Sequence, residues 1–151
     1  MSKFFILLIF FITSCGYQPL YKSKNEDNNF KIKDIQFMGN KKVGKKVLSS
    51  LPFLIVKNDK DLNRIVIEAN KSVTGASKNS KGQVTSYRTT LIVKLKILDS
   101  KNKLVGEKNL KKEFVYDVDE NKFKFKEYQN KVEENLIEDM AEDIIFYLNY
   151  S

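Results

Sequence analysis

Val84 to Leu98 reads VTSYRTTLIVKLKIL, and its period decides the fold. Leu91, Val93, Leu95 and Ile97 alternate with Thr90, Ile92, Lys94 and Lys96, the two-residue rhythm of a strand with one buried face. Asp99-Ser100-Lys101-Asn102 supplies a tight turn, and Leu104 to Val118 returns with Leu110, Phe114, Tyr116 and Val118 of one parity. Two long strands joined so closely predict an antiparallel hairpin. Upstream, Leu62 to Lys71 reads as a further strand, with Ile65, Ile67 and Ala69 on one face and Arg64, Val66 and Glu68 on the other. Ser72 to Gln83 between them is rich in small polar residues and glycine, the composition of a long, mobile hairpin loop.

Working outward, Phe30 to Met38 predicts the first strand, although Phe30 and Ile32 share one parity while Ile35 and Phe37 share the other. A bulge, or a start near Lys33, would reconcile them. Gly39-Asn40 is a turn with Asn40 placed to cap a helix. Val43, Val47, Leu48 and Leu51 then recur at helical spacing, with Lys41, Lys42, Lys45 and Lys46 as a solvated face and Pro52 ending the run. A longer helix is expected from about Phe123 to Tyr147. Its stripe is Phe125, Tyr128, Val132, Leu136, Met140, Ile144 and Leu148, widened by Ile137, Ala141 and Ile145. Glu133, Glu134, Glu138, Asp139, Glu142 and Asp143 fall mainly off it. The order βαβββα predicts an α+β two-layer sandwich, a four-stranded, mostly antiparallel sheet with two helices on one face.

The first residues belong to a different kind of object. Lys3 precedes an unbroken apolar run from Phe4 to Ile12, then Thr13, Ser14 and Cys15. A charged leader, a run of this length and small residues are the parts of a secretory signal, and the run is too short to span a bilayer as a helix. An aliphatic residue, two small residues and cysteine resemble the lipobox of bacterial lipoproteins, in which the thiol receives a diacylglycerol and the freed amine is acylated. Cys15 is the sole cysteine of the chain, so it has no disulfide partner within it. One acyl chain anchors only marginally at about 0.8 kcal/mol per buried methylene, whereas two or three make a lasting tether. The expected organisation is a signal peptide at 1–14, a lipidated Cys15 opening a flexible polar tether at 15–29, and a single domain at 30–151.

Composition excludes several functions. The chain has no histidine, so His-based acid–base pairs, Ser-His-Asp triads and the usual zinc sites are absent from it. No phosphate-binding glycine loop occurs. Glu133-Glu134 and Asp117/Asp119 read more simply as a solvated helix face and a loop than as paired catalytic carboxylates. The expectation is a non-enzyme with no catalytic residues, no cofactor and no metal. The net charge of +8 is carried almost wholly by lysine, and lysine is poorly suited to bidentate recognition of bases or phosphates. With export, that argues against a nucleic-acid partner and leaves an anionic lipid surface or anionic ligand.

Cys15-Gly16-Tyr17-Gln18-Pro19-Leu20-Tyr21, the strand Thr85 to Asp99, the returning strand ending Phe114-Val115-Tyr116-Asp117, and the final helix rich in Glu, Asp, Met, Ala and Ile follow in one order. Together they resemble the lipopolysaccharide-assembly lipoproteins, the LptE family, of alphaproteobacterial type. The resemblance implies a domain tethered to the periplasmic side of the outer membrane. There it would plug a large LptD-type β-barrel, assist its assembly and help insert lipopolysaccharide into the outer leaflet. By analogy with enteric lipoproteins, the uncharged Gly16 would not retain the protein at the inner membrane. The alternative is a periplasm-facing lipoprotein that binds a small ligand or an envelope polymer on its own. The sheet face turned away from the helices would carry any lipopolysaccharide site. Arg88, Lys94 and Lys96, with Arg64 alongside, flank an aliphatic patch suited to a phosphate-bearing amphiphile. The plainer reading of these four is a solvated strand face.

Overall fold

A computed structural model describes residues 30–150. The signal at 1–14, Cys15, Gly16 and the tether at 15–29 lie outside the described residues. The elements are β1 (Phe30–Ile32), β2 (Asp34–Gly39), α1 (Lys41–Ser49), β3 (Phe53–Ile55), β4 (Arg64–Lys78), β5 (Val84–Leu98), β6 (Leu104–Asp117) and α2 (Lys122–Tyr150). Strands pair in the order β2-β4-β5-β6, with β2 parallel to β4 and the rest antiparallel. Both helices pack on one face, giving the two-layer α+β sandwich.

The alternation read in β5 sets the core. Leu91, Val93 and Leu95 are wholly buried, as are Ile67 and Ala69 of β4 on the same face. Val43 and Val47 of α1, and Val132, Leu136, Met140 and Ile144 of α2, close over them. Each buried side chain of this size contributes about 1.5–3 kcal/mol. Asn40 caps α1 as expected, its Oδ1 accepting from the Val43 amide at 3.2 Å. Gly39 before it stands at φ +68°, and a Cβ there would meet the Ala69 carbonyl oxygen at 2.4 Å. Only glycine allows β2 to turn so tightly beside β4.

Three expectations are corrected. Phe30 to Met38 is two strands: the sheet strand starts just after Lys33, as one of the two readings has it, and Lys33, whose amide bonds the Asn63 carbonyl, separates it from an additional short strand. β1 leaves the main sheet there and pairs in parallel with β3, a short strand after Pro52 that the pattern did not disclose. Ser72 to Lys78 is strand, not loop, paired to β5 as far as Val84 with register shifts near Ser77. The turn is confined to 79–83, where Asn79 Oδ1 accepts from the Lys81 and Gln83 amides and Gly82 takes φ +78°. Asp99 and Asn102 build the β5–β6 turn in the same way, with Asn102 at φ 63°. The third correction is Glu133, only 6% exposed. It faces inward and receives Lys46 of α1 at 2.6 Å and Lys71 of β4.

β2 runs beside only the first part of β4, from Arg64 to Ala69. Beyond Ala69, β4 has β5 as its sole strand partner among the described residues and is exposed throughout, although Lys71 reaches Glu133. The far end of the sheet is capped by aromatic rings. Phe125 packs on Tyr87 and Tyr116, and Tyr128 meets Tyr116 edge-on. Tyr116 OH also shares a 3.0 Å hydrogen bond with buried Thr89.

Candidate functional site

The uncovered sheet face is built by the parity opposite to the core. On β5 it carries Arg88, Thr90, Ile92, Lys94 and Lys96. Their β6 neighbours are Val115, Glu113, Lys111, Asn109 and Glu107. On β4 they are Thr74, Ser72, Asn70, Glu68 and Val66. Successive outward side chains on a strand stand about 6.6 Å apart, so Lys94 and Lys96 are neighbours with Arg88 three places beyond Lys94. Ile92 lies between them, 45% exposed, and Met38 and Val115 are equally open. Val66, on this same face, is nevertheless buried.

The four cations singled out from the sequence share this face but not one environment. Arg64 is committed to the fold. Its Nε donates to Asp34 at 2.6 Å and its Nη1 to Asn102 of the β5–β6 turn at 2.8 Å. The Asp34 hydrogen bond and charge raise its pKa further, so it is always charged. Arg88 approaches Glu113 only to 4.0 Å and Lys94 approaches Glu107 to 3.7 Å, separations too long for hydrogen bonds. Lys96 has no carboxylate in ion-pair range among the described residues. Glu113 is engaged mainly by Lys111 at 2.8 Å, whose hydrogen bond and charge hold its carboxyl below the usual range. Arg88, Lys94 and Lys96 therefore keep donors available on a face where Ile92, Met38 and Val115 are separate apolar points among polar and acidic neighbours. Such a face can bind an anionic group beside a small aliphatic surface.

The sequence reading missed the Lys46–Glu133–Lys71 cluster, which lies on the opposite, helix-covered side. Burial pushes the Glu133 carboxyl up, yet the Lys46 and Lys71 hydrogen bonds and charges outweigh that and hold it below the usual range. Every side-chain donor and acceptor buried here is satisfied among the described residues, which marks the cluster as structural. A signal was available. Glu133 heads the row Ile137, Ala141 and Ile145 at four-residue steps, the row that widens the stripe. Among the described residues no group of His, Cys, Asp and Glu is placed to hold a metal ion, and no helix is long and apolar enough to cross a membrane.

This defines a small two-layer α+β domain with one sheet face open. Its structure is similar to that of the rare lipoprotein B from Shewanella oneidensis, with a TM-score of 0.59 and 11% identity over 77% of this chain and 93% of that one. A minor lipoprotein from Acinetobacter baumannii gives 0.58 at 17% identity, covering 77% and 87%. The uncharacterized lipoprotein B from Nitrosomonas europaea gives 0.51 at 12% identity, covering 83% and 87%. At these identities the likeness is one of fold alone. No family model matches the chain, and no curated protein matches it.

Proposed function

We propose that the chain is a non-catalytic outer-membrane lipoprotein, anchored through Cys15 on the periplasmic side. In this reading it plugs and assists assembly of a lipopolysaccharide-translocating β-barrel and helps deliver lipopolysaccharide to the outer leaflet. The observation that carries the reading is the fold, common to this chain and to bacterial lipoproteins over most of their length, behind a lipobox-like Thr13-Ser14-Cys15. The open face adds support, with Arg88, Lys94 and Lys96 loosely held around exposed Ile92.

Mild-detergent extraction of envelope membranes followed by pull-down of this chain tests the partnership. Copurification of a large barrel protein is expected, and a stable monomer holding a small ligand instead would overturn it in favour of the ligand-binding alternative. Replacing Arg88, Lys94 and Lys96 together with Gln tests the face. The fold should persist, since all three lie outside the core. Lipopolysaccharide binding in vitro should weaken as it does in added salt. Unchanged binding would leave these residues as a solvated strand face.

A further inference from the structure

β6 ends the sheet, and along its outer edge no strand pairs among the described residues. Open edges invite strand addition, and charged side chains, lysine above all, commonly guard them. Lys108, Lys111 and Lys112 guard the middle of β6. Towards its end, between Glu113 and Asp117, no lysine guards it, and Phe114 and Val115 are 46% and 45% exposed, with Val118 just beyond at 42%. Beside this stretch α2 stands off from the sheet. The hollow between them, about 400 Å³, is lined by Phe114, Tyr128, Val132, Leu136, Glu138 and Asp139, among others. It runs on past Tyr128 and Lys131 into a shallower recess of about 890 Å³ bordered by Asp117, Asp119, Glu120 and Glu127. Towards the other end of β6, Lys112 and Asp143 join strand and helix at 2.7 Å.

The charge of this groove is opposite to that of the molecule. Asp117, Asp119, Glu120, Glu127, Glu138 and Asp139 line it against Lys124 and Lys131, in a chain of net charge +8. Among the described residues none of these six carboxylates has a lysine or arginine in ion-pair range. Elsewhere Asp34, Glu107, Glu113, Glu133 and Asp143 each have at least one, while Asp59, Asp61, Glu68, Asp99, Glu134 and Glu142 are unpaired but scattered. Unmatched carboxylates beside exposed aromatic and aliphatic side chains complement a ligand that is both cationic and apolar. A second copy paired edge to edge would present β6 itself, where Glu107, Glu113 and Asp117 balance Lys108, Lys111 and Lys112, so it is not the cationic segment that the groove complements. Anionic lipid headgroups would be repelled by the groove's carboxylates.

We propose that the groove docks an extended, lysine- or arginine-bearing segment of a partner protein, added as a strand to β6 over Glu113–Asp117. Main-chain hydrogen bonds to the open edge supply the register. Alternate side chains enter the hollow between Phe114 and Tyr128, whose floor includes the buried Val132 and Leu136, and the segment's cations reach Glu138 and Asp139 on one side and Asp117 and Glu120 on the other. This rests on the described residues alone and not on the function proposed above.

The test uses the full chain in a non-ionic detergent and a dye-labelled peptide of five Val-Lys repeats, read by fluorescence anisotropy. Saturable binding is expected. It should fall at least tenfold for the Glu138→Lys/Asp139→Lys variant, and not for Asp59→Lys/Asp61→Lys, which makes the same charge change at exposed sites in the β3–β4 connection. All four positions are exposed, so thermal unfolding should confirm that each variant is folded. A peptide N-methylated at alternate residues, which cannot add as a strand, should also bind at least tenfold more weakly. Absence of binding, equal binding by the N-methylated peptide, or equal loss in both charge variants would each overturn the proposal.

Discussion

Glu133 is where two helices and the sheet converge. It links positions 87 and 62 residues away in sequence through Lys46 and Lys71, so it forms only when α1, β4 and α2 are assembled together. Glu133→Gln removes the charge that both ammonium groups share. The lysines reach partial solvent, so the loss should be about 1–3 kcal/mol, measured by chemical denaturation. The pH dependence follows from the lowered carboxyl. The ionised form is favoured by folding, so the stabilisation is complete above the unfolded carboxylate range. It disappears as pH falls through the lower folded value. Below pH 5 the native chain should therefore lose its advantage over Glu133→Gln progressively, and a constant gap would contradict the assignment. Gly39→Ala should be costly for a different reason, a φ of +68° together with a backbone clash at 2.4 Å. A loss of about 2 kcal/mol or more is expected in the same measurement.

Elements that bury one face were legible, and elements that bury none were not. β5 and α2 carry near-continuous apolar periods because each lays a full stripe on the core, while β6 was legible from its return after the turn and from Leu110, Phe114 and Tyr116 of one parity. Leu136→Asp, placing a charge at a position 5% exposed, should cost about 4 kcal/mol or more, whereas Glu134→Ala on the solvent side should be near neutral. Equal unfolding midpoints would mean that α2 docks by another face. Ser72–Lys78 shows no such period, since neither of its faces is covered, and its polar residues imitate a loop. β3 is three residues long, too short for any period. On the open face, the alternation of β5 brought Arg88, Lys94 and Lys96 together. It could not show that Asp34 and Asn102 occupy Arg64, because those contacts join segments distant in sequence.

At the scale of the molecule the ends differ. The described residues begin at Phe30, near the end of the sheet where Asp34, Arg64 and Asn102 meet. The acidic groove flanks Asp117, opposite Ser86 near the far end of β5. Along β5 these two places, at Leu98 and Ser86, are roughly 40 Å apart. If Cys15 is the anchor, mass spectrometry of the mature protein will find acyl chains on an N-terminal Cys15, and Cys15→Ser will move the chain out of the membrane fraction. An unmodified thiol would refute it. The strand β4 is interior to the sheet from Arg64 to Ala69 and an edge from there to Lys78. One continuous strand thus has two kinetic personalities. Amide hydrogens of Ile65–Ala69 should exchange with deuterium only through global opening, while those of Ser72–Lys78 should exchange orders of magnitude sooner by fraying of the hairpin end. The step in protection should fall within a residue or two of Ala69, where the chain of β2 turns away.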